Sequence, residues 1–410
     1  MRIERLSVTC FRNLHRIEIE PSGGLNLLLG NNGQGKTSVL EAISLLASLR
    51  SFRDSKPQDW IQFGALSSQL DSWISPDQAS QRPTNEWKSH FQVLIQKDPL
   101  TETVRKTALV NGKRAQSGAG YLKQKFGSAE LAFHAICFNP GDHDLIRGEP
   151  AVRRAYLDRV IAAEDSDYLE KALQYSRLVD QRNALLKERA GRYQGVLFEF
   201  TYPLIQLGAT LLLARLRWLE KNLKRVQKEA SRIASNSSQL GLLYLAKGPD
   251  HRSPRIVKKN NEIGILNGVH FAGHHPLPSL EVIENWLKSR FEANQAEELR
   301  QGVTLLGPHR DDWAIEHEGA SLKGTGSQGE VRTALLALKL TEISSFREVT
   351  GHRPVLLLDD FSSELDLRRR RFLMESIEET DLQVFVTSTE ASGLPGKVFR
   401  VEKGQVTPDS

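Results

Sequence analysis

Residues 30–37 read GNNGQGKT, and their types and spacing suit a loop built to hold phosphate. Gly30, Gly33 and Gly35 let the backbone curl so that successive N–H groups converge on phosphate oxygens, with Asn31, Asn32 and Gln34 between them. Lys36 is placed to reach the β- and γ-phosphates and Thr37 to offer its hydroxyl to Mg²⁺, and Ser38 completes the candidate ATP-binding set. The alternative is a chance glycine-rich turn. A full eight-residue pattern between a strand-like and a helix-like segment argues against it.

The rest of the candidate chemistry lies toward the other end of the chain, with Asp359 more than 300 residues beyond Lys36. Asp359 closes the apolar run 355–358, which puts a carboxylate at the mouth of a buried strand, where it can hold Mg²⁺ through water. Asp360 follows and is the candidate to polarise an attacking water. That role is often given to Glu, so the shorter side chain predicts slow hydrolysis. A solvated helix cap is the weaker reading of this acid pair. Ser327, Gln328, Gly329 and Glu330 stand in a glycine-rich loop ahead of an apolar helical pattern over 331–343, making a second helix N-terminus able to meet phosphate. Alone, that segment reads equally well as an ordinary N-cap. A site split between the two ends of a chain suits an ABC-type head that carries an insertion. A transporter subunit is disfavoured, because Thr387, Ser388 and Thr389 follow the strand-like 384–386 with no His at the switch position.

The elements that must position these residues are legible in outline. Strands are expected at 3–8, 14–19 and 25–29, with Pro21, Gly23 and Gly24 marking a turn, and a helix over 37–49 from Val39, Leu40, Ile43, Leu46 and Ala47. Asn111 and Gly112 predict a hairpin turn, and residues 75–88 a loop. Long helices are expected at 165–190 and 203–234. In the second, Ile205, Ala209, Leu212, Leu216, Leu219, Leu223, Val226, Ala230 and Ile233 form a heptad seam on a helix about 45 Å long. The first has a weaker seam of Leu169, Ala172, Ser176, Val179, Asn183 and Leu186, which suits a short antiparallel pair. Residues 247–278 read as a loop or insertion; His270, His274 and His275 within it lack the Cys or carboxylate cluster of a zinc site. A helix at 280–299, a strand at 303–305 and buried strands at 355–358 and 384–386 complete the pattern. The fold expected is α/β: an ABC-type P-loop ATPase head from 1–160 and 300–410, with an inserted helical lobe, a short antiparallel coiled coil, at 161–299.

Composition sets outer bounds. The 410 residues are 39% hydrophobic with a net charge of +5 and a pI near 9.1, which suits an ordinary globular protein and permits a polyanionic partner. Two cysteines make a disulfide framework improbable, and no uninterrupted apolar run reaches the roughly 18 residues of a membrane span, so a cytoplasmic location is expected. Arg217, Lys221, Lys224 and Lys228 fall on one helical face, joined by Arg225 and Arg232, and residues 368–371 are four arginines. Such a stripe could neutralise DNA phosphates without reading sequence, and a solvated helix face carries about equal weight.

Taken together, these motifs resemble the RecF family of bacterial recombination-mediator ATPases, short relatives of the SMC-type chromosome ATPases. The resemblance rests on CFRNL (10–14), LGNNGQGKTSVLEAISLL (29–46), RSFR (50–53), FNPGDHDLIRGEPAVRRAYLD (138–158), LLGPHRDD (305–312), SQGEVRTALLALKLTE (327–342) and LLLDDFSSELD (356–366). It implies an ATP-dependent homodimer on gapped or single-strand–duplex DNA, marking sites where RecR-type mediators, and RecO-type ones where present, load recombinase. It also implies Arg12 near the γ-phosphate and Ser327 to Glu330 against ATP held by the other subunit. Gly141 departs from the pattern, standing where the family usually has Glu. A short SMC-like DNA clamp, whose arms should be far longer, and a P-loop small-molecule kinase, which would not dimerise with ATP, are the alternatives.

Overall fold

The computed structural model describes residues 1–53, 55–76, 88–122, 133–188, 194–234, 239–246, 269–271, 277–360, 366–390 and 395–409. The chain forms two compact units, Met1–Asp142 with Glu342–Ser410, and His143–Thr341. These boundaries differ from an insertion at 161–299, because the helix Pro150–Glu164 and the strand Asp312–His317 belong to the second unit.

The first unit holds two six-stranded sheets. One is antiparallel and runs, edge to edge, through Leu14–Ile19, Arg2–Phe11, Ser67–Ser75, Ser89–Lys97, Val104–Val110 and Lys113–Arg114. Met1 and Ile3 are buried, and so are Leu6 and Val8. That change of phase is explained by a bulge between Ile3 and Arg5, which resets the two-residue alternation. Asn111 and Gly112 both take positive φ, 51° and 75°, and turn the last hairpin as their sequence predicts.

In the other sheet the order is Gln405–Pro408, Lys397–Glu402, Leu25–Leu29, Val384–Ser388, Val355–Leu358 and Ala135–Phe138. All pairings from Lys397–Glu402 to Ala135–Phe138 are parallel. Val355, Leu356, Leu357 and Leu358 are fully buried, as expected of a central parallel strand covered on both faces. The C-terminal strands therefore interleave with those that begin the chain and align their C-terminal ends along one edge.

The second unit is built on an antiparallel helical hairpin, Ser166–Lys187 and Gln194–Ala234. All nine predicted seam positions of the second helix are buried. That helix starts before residue 203 and carries Pro203 inside it, buried apolar neighbours Leu197 and Leu204 lying on either side of the break in hydrogen bonding. An 18-residue window of this helix has a mean hydropathy of 1.4, enough by length and composition to cross a bilayer, yet its seam faces the unit's own core. In the first helix the expected seam holds at Val179 and Leu186, which are buried. Ser176 is exposed, and the other buried positions are Tyr168, Tyr175 and Arg182.

The expected strand at 303–305 is absent. The Thr304 N–H donates to Asn183 Oδ1 at 2.7 Å and the Leu305 N–H to Glu298 Oε1 at 2.8 Å, so side chains take the donors a ladder would need. The strand instead forms at Asp312–His317, paired with Leu240–Leu245, to which Val269–Phe271 adds. His274, His275 and residues 361–365 of the LLLDDFSSELD segment lie outside the described residues.

His309 tests this packing. Burial lowers its pKa to about 4, opposed by a hydrogen bond to the Thr304 carbonyl and reinforced by Arg310, Arg154 and Arg215. A depressed histidine contributes stability that is fully present above its ordinary value near 6.5 and is lost as the pH falls toward 4. Urea unfolding across this window should show stability falling by up to about 1.4 kcal/mol per pH unit from this one proton. The His309→Gln variant should lack that component.

Candidate nucleotide site

Strand Leu25–Leu29 runs into the glycine loop, and helix Lys36–Ser48 leaves it. Gly30 donates its N–H to the Ser388 carbonyl at 3.3 Å, and a Cβ there would lie 2.1 Å from the Val401 carbonyl oxygen, so only glycine fits between these strands. Gly33 and Gly35 take φ of 78° and 117°. The Lys36 ammonium donates to the carbonyls of Gly30 at 2.6 Å and Asn31 at 2.9 Å, its pKa lowered by burial against the pull of Asp360 and Asp359. Asn31, Asn32 and Gly33 are exposed at the loop's crest.

Two of the predicted loop residues hold the loop's shape. Gln34 Oε1 accepts the Lys403 N–H at 2.6 Å, and its carbonyl accepts the Gly404 N–H. Ser38 donates to Asn13 Oδ1 at 2.9 Å, while Asn13 Nδ2 reaches the Gly33 carbonyl at 3.0 Å. Asn13 therefore clamps the loop to the first strand pair.

Thr37 donates its hydroxyl to Asp359 Oδ1 at 2.8 Å across 322 residues of chain. Thr387 donates to the same oxygen at 3.0 Å and accepts the Asp360 N–H at 2.8 Å. Burial raises the pKa of Asp359, opposed by the two hydroxyls and by Arg53 and reinforced by Asp360. Asp360 is exposed with a φ of 49°, a left-handed backbone that Asp tolerates better than most residues. Thr387 thus fixes both acids, a role the sequence hinted at only through its place at the end of an apolar strand.

Arg12 is held by Glu41, a fully buried carboxylate, with contacts of 3.0 and 2.7 Å. Ser51 donates to Glu41 at 2.6 Å and Arg53 stands 3.6 Å from it. In the FNPGD segment, Gly141 donates its N–H to Asn139 Oδ1 at 2.8 Å, and a Cβ there would lie 2.9 Å from that oxygen, so a Glu would displace the Asn139 amide.

In the second unit Ser327 caps helix Gln328–Thr350. Its N–H donates to Glu330 Oε2 at 2.7 Å, and the Glu330 N–H returns to its hydroxyl at 3.2 Å, a reciprocal capping box that lowers the Glu330 pKa. Arg147 donates to the Gly326 carbonyl at 2.8 Å and Lys323 to that of Gly148 at 3.0 Å, joining the 138–158 motif to the loop before this helix. Arg217, Lys221, Lys224 and Lys228 are exposed along one side of their helix. In the arginine run, Arg369 pairs with Asp366 at the start of its own helix.

Comparison with known proteins settles the family. The sequence pattern of the RecF/RecN/SMC N-terminal domain matches residues 2–397. The DNA replication and repair protein RecF of Geobacter sulfurreducens is 35% identical, and that of Geobacter metallireducens 34%, each with 100% of both chains covered. The chain belongs to the RecF family. Two solved RecF structures, described as the recombination mediator protein in the RecFOR pathway with ATP and with ATPrS, superpose with TM-scores of 0.82 and 0.81 at 30% and 29% identity. They cover 100% of this chain and are themselves covered to 97% and 98%. An SMC head bound to the C-terminal winged helix of ScpA shares the fold alone, at a TM-score of 0.52 and 14% identity. The RecF fold is thus the ABC ATPase head expected from the motifs.

The double role of Thr387 can be measured in the resting protein. Thr387→Val keeps the volume, but it removes the hydroxyl shared by Asp359 and the Asp360 N–H, and should cost about 1–3 kcal/mol in urea unfolding. Thr387→Ser should stay near the parent. Equal stability of Val and Ser variants would assign the hydroxyl no structural role.

Proposed function

We propose that the chain is an ATP-switched DNA-binding protein of recombinational repair and replication restart, working in the cytoplasm. It dimerises with ATP on gapped or single-strand–duplex DNA and helps RecR-type mediators, and RecO-type ones where present, to load recombinase. The observation that carries this reading is the Thr37–Asp359 hydrogen bond beside Lys36, which gathers a hydroxyl, a carboxylate and an ammonium at the mouth of the glycine loop. The names of the RecF relatives, DNA replication and repair protein and recombination mediator with ATP, give the pathway.

The donor set fits Mg²⁺: Thr37 and Asp359 offer hard oxygens within one hydrogen-bond length of each other. When bound, Mg²⁺ neutralises charge on the β- and γ-phosphate oxygens. The loop's backbone N–H groups and Lys36 bind the phosphates. Asp360, fixed by Thr387 through its own N–H, orients the attacking water and accepts its proton. One methylene shorter than Glu, it does so weakly. A hairpin whose first helix has 22 residues disfavours the clamp, which needs much longer arms.

Asp360→Asn should retain ATP, stabilise the dimer and slow phosphate release by about 10²-fold or more. Asp359→Asn should instead raise the Mg²⁺ needed for half-maximal activity by about tenfold or more. Wild-type hydrolysis by the Asp360 variant would remove the assignment.

In this reading each ATP lies between Lys36 of one copy and Ser327 of the other, whose capped helix N-terminus adds positive potential. Lys36→Ala should lose nucleotide binding, and Ser327→Arg should bind ATP but block closure, so each homodimer is inactive. A mixture contains heterodimers with one doubly damaged and one intact site. ATP-dependent dimer, read by light scattering at several mixing ratios, should return. Should a tagged pull-down show the variants associating with neither dimer closure nor hydrolysis restored, a site within one chain is the better account.

A further inference from the structure

Glu330, in the first turn of helix Gln328–Thr350, has both carboxylate oxygens engaged. Its Oε2 accepts the Ser327 N–H at 2.7 Å, and its Oε1 lies 3.2 Å from His317 Nδ1. A carboxylate only accepts, so the imidazole facing it, neutral or cationic, carries a proton on Nδ1. An ordinary capping box ends with the exchange between Ser and Glu and needs no third group. Here the oxygen that the box leaves over is taken by a side chain from a strand upstream.

His317 is fixed where it stands. It closes strand Asp312–His317, level with Leu240 on one side and Ala320 on the other. After Ala320 and Ser321 the chain makes a one-turn helix, Leu322–Thr325, and enters the Ser327 segment. Buried Leu322 anchors that stretch, and the Thr325 hydroxyl donates to the Ser321 carbonyl at 2.9 Å. Ser327 and Gln328 themselves are exposed. The carboxylate that caps them works against phosphate, because it occupies the Ser327 N–H, a donor that a helix N-terminus offers to anions, and its own charge repels them. The Ser327 N–H, the Ser327 hydroxyl and then His317 hold the Glu330 carboxyl below its ordinary range against the effect of burial, so it is charged at neutral pH. A group that draws it aside frees that N–H.

We propose that His317 is a positioning residue for the contact between Ser327 and ATP held by the other copy: it keeps the Glu330 carboxylate on the strand side while Ser327 turns its N–H to phosphate. The inference rests on the shared-site reading above and adds a plug to it. As it stands, Glu330 closes its own helix N-terminus. When phosphate arrives, the hydrogen bond from the Ser327 N–H to Glu330 is exchanged for one from the same N–H to a phosphate oxygen. Glu330 keeps its contact with His317 throughout, so its charge is not left without a partner. A Gln at this position would close the same box without a charge, and would need no such partner.

The test uses the full chain with Mg²⁺ and reads ATP-dependent dimer by light scattering across a range of ATP concentrations. His317→Ala should raise the ATP needed for half-maximal dimer by about tenfold or more, the worth of one hydrogen bond to a charged group. His317→Asn, whose side-chain amide can donate from nearly the position of Nδ1, should stay near the parent. Glu330→Gln should need no more ATP than the parent. The double variant His317→Ala with Glu330→Gln should return to within about twofold of the parent, because no charge is left to draw aside. That rescue separates positioning from packing: were His317 only a structural residue, removing the charge at position 330 would repair nothing. If His317→Ala dimerises at the parent's ATP concentration, or the double variant is no better than His317→Ala, the role of His317 is overturned. Ser327→Arg, run alongside, tells that failure from a failure of the shared site. A Ser327→Arg chain that closes as the parent does removes both, whereas blocked closure beside an unaffected His317→Ala removes this inference alone.

Discussion

Everything in the first unit depends on the place of one strand, Val355–Leu358. It lies between Val384–Ser388 and Ala135–Phe138 in parallel register, Leu358 standing level with Val386 and Phe138. Asp359 therefore leaves the sheet where its own N–H can donate to the Phe138 carbonyl at 2.8 Å. Val384–Ser388 also pairs with Leu25–Leu29, so the glycine loop opens on the same edge. The Thr37–Asp359 contact is a consequence of strand order. Its cost is a carboxylate pushed out of water, offset by two hydroxyls on one of its oxygens and by the charge of Arg53.

The second unit solves a different problem, that of register. An apolar heptad seam can slide by a turn with little change in buried area, whereas polar partners cannot. In this hairpin Tyr168 meets Arg215, Tyr175 packs over Gly208, and Arg182 meets Thr201. Each step of seven up one helix matches a step of seven down the other. The polar ends continue inward: Arg182 to Glu298 at 2.5 Å, Arg215 to Asp158 at 2.8 Å and to the Pro308 carbonyl at 2.7 Å, and Tyr244 to Asp311 at 2.8 Å. Buried pairs of this kind add little net stability relative to apolar packing, but breaking one is costly, so they select one alignment over its neighbours. Gly307, with φ of 111° and Tyr175 Oη 2.3 Å from where its Cβ would be, lets the GPHRDD turn approach that close.

This explains how much could be read from the sequence. The parallel strands, the glycine loop, the acid pair and the apolar seam were legible because each is written in local residue types with a fixed period or spacing. The seam of helix Ser166–Lys187 was read correctly only at Val179 and Leu186, because its other buried positions are Tyr and Arg, which hydropathy counts as polar or intermediate while their stems and rings pack. The strand expected at 303–305 failed because Asn183 and Glu298, far away in sequence, claim its N–H groups. The positioning roles of Asn13, Glu41, Ser51 and Thr387 went unread for the same reason. Each is an ordinary polar residue whose importance lies in a partner that only the fold supplies.

Glu41 shows what such a partner does. It sits on the helix that leaves the glycine loop and is fully buried, so its charge must be compensated where it stands. Arg12 answers with two hydrogen bonds, one to each oxygen, and Ser51 with a third. Arg53 approaches at 3.6 Å and also lowers the pKa of Asp359, so its field is shared between the buried anchor and the acid at the loop's mouth. A bidentate pair fixes the Arg12 guanidinium in plane as well as in distance. Three segments separated in sequence, CFRNL, the helix after the loop and RSFR, are thereby tied to one carboxylate. The resemblance implies Arg12 beside the γ-phosphate; in this structure its guanidinium is held by both oxygens of Glu41. Arg53, half-exposed, stands 3.6 Å from the oxygen that also accepts from Arg12 Nε. One buried carboxylate thus serves two arginines from separate segments, so the loss of either leaves more of its charge to be compensated by the other.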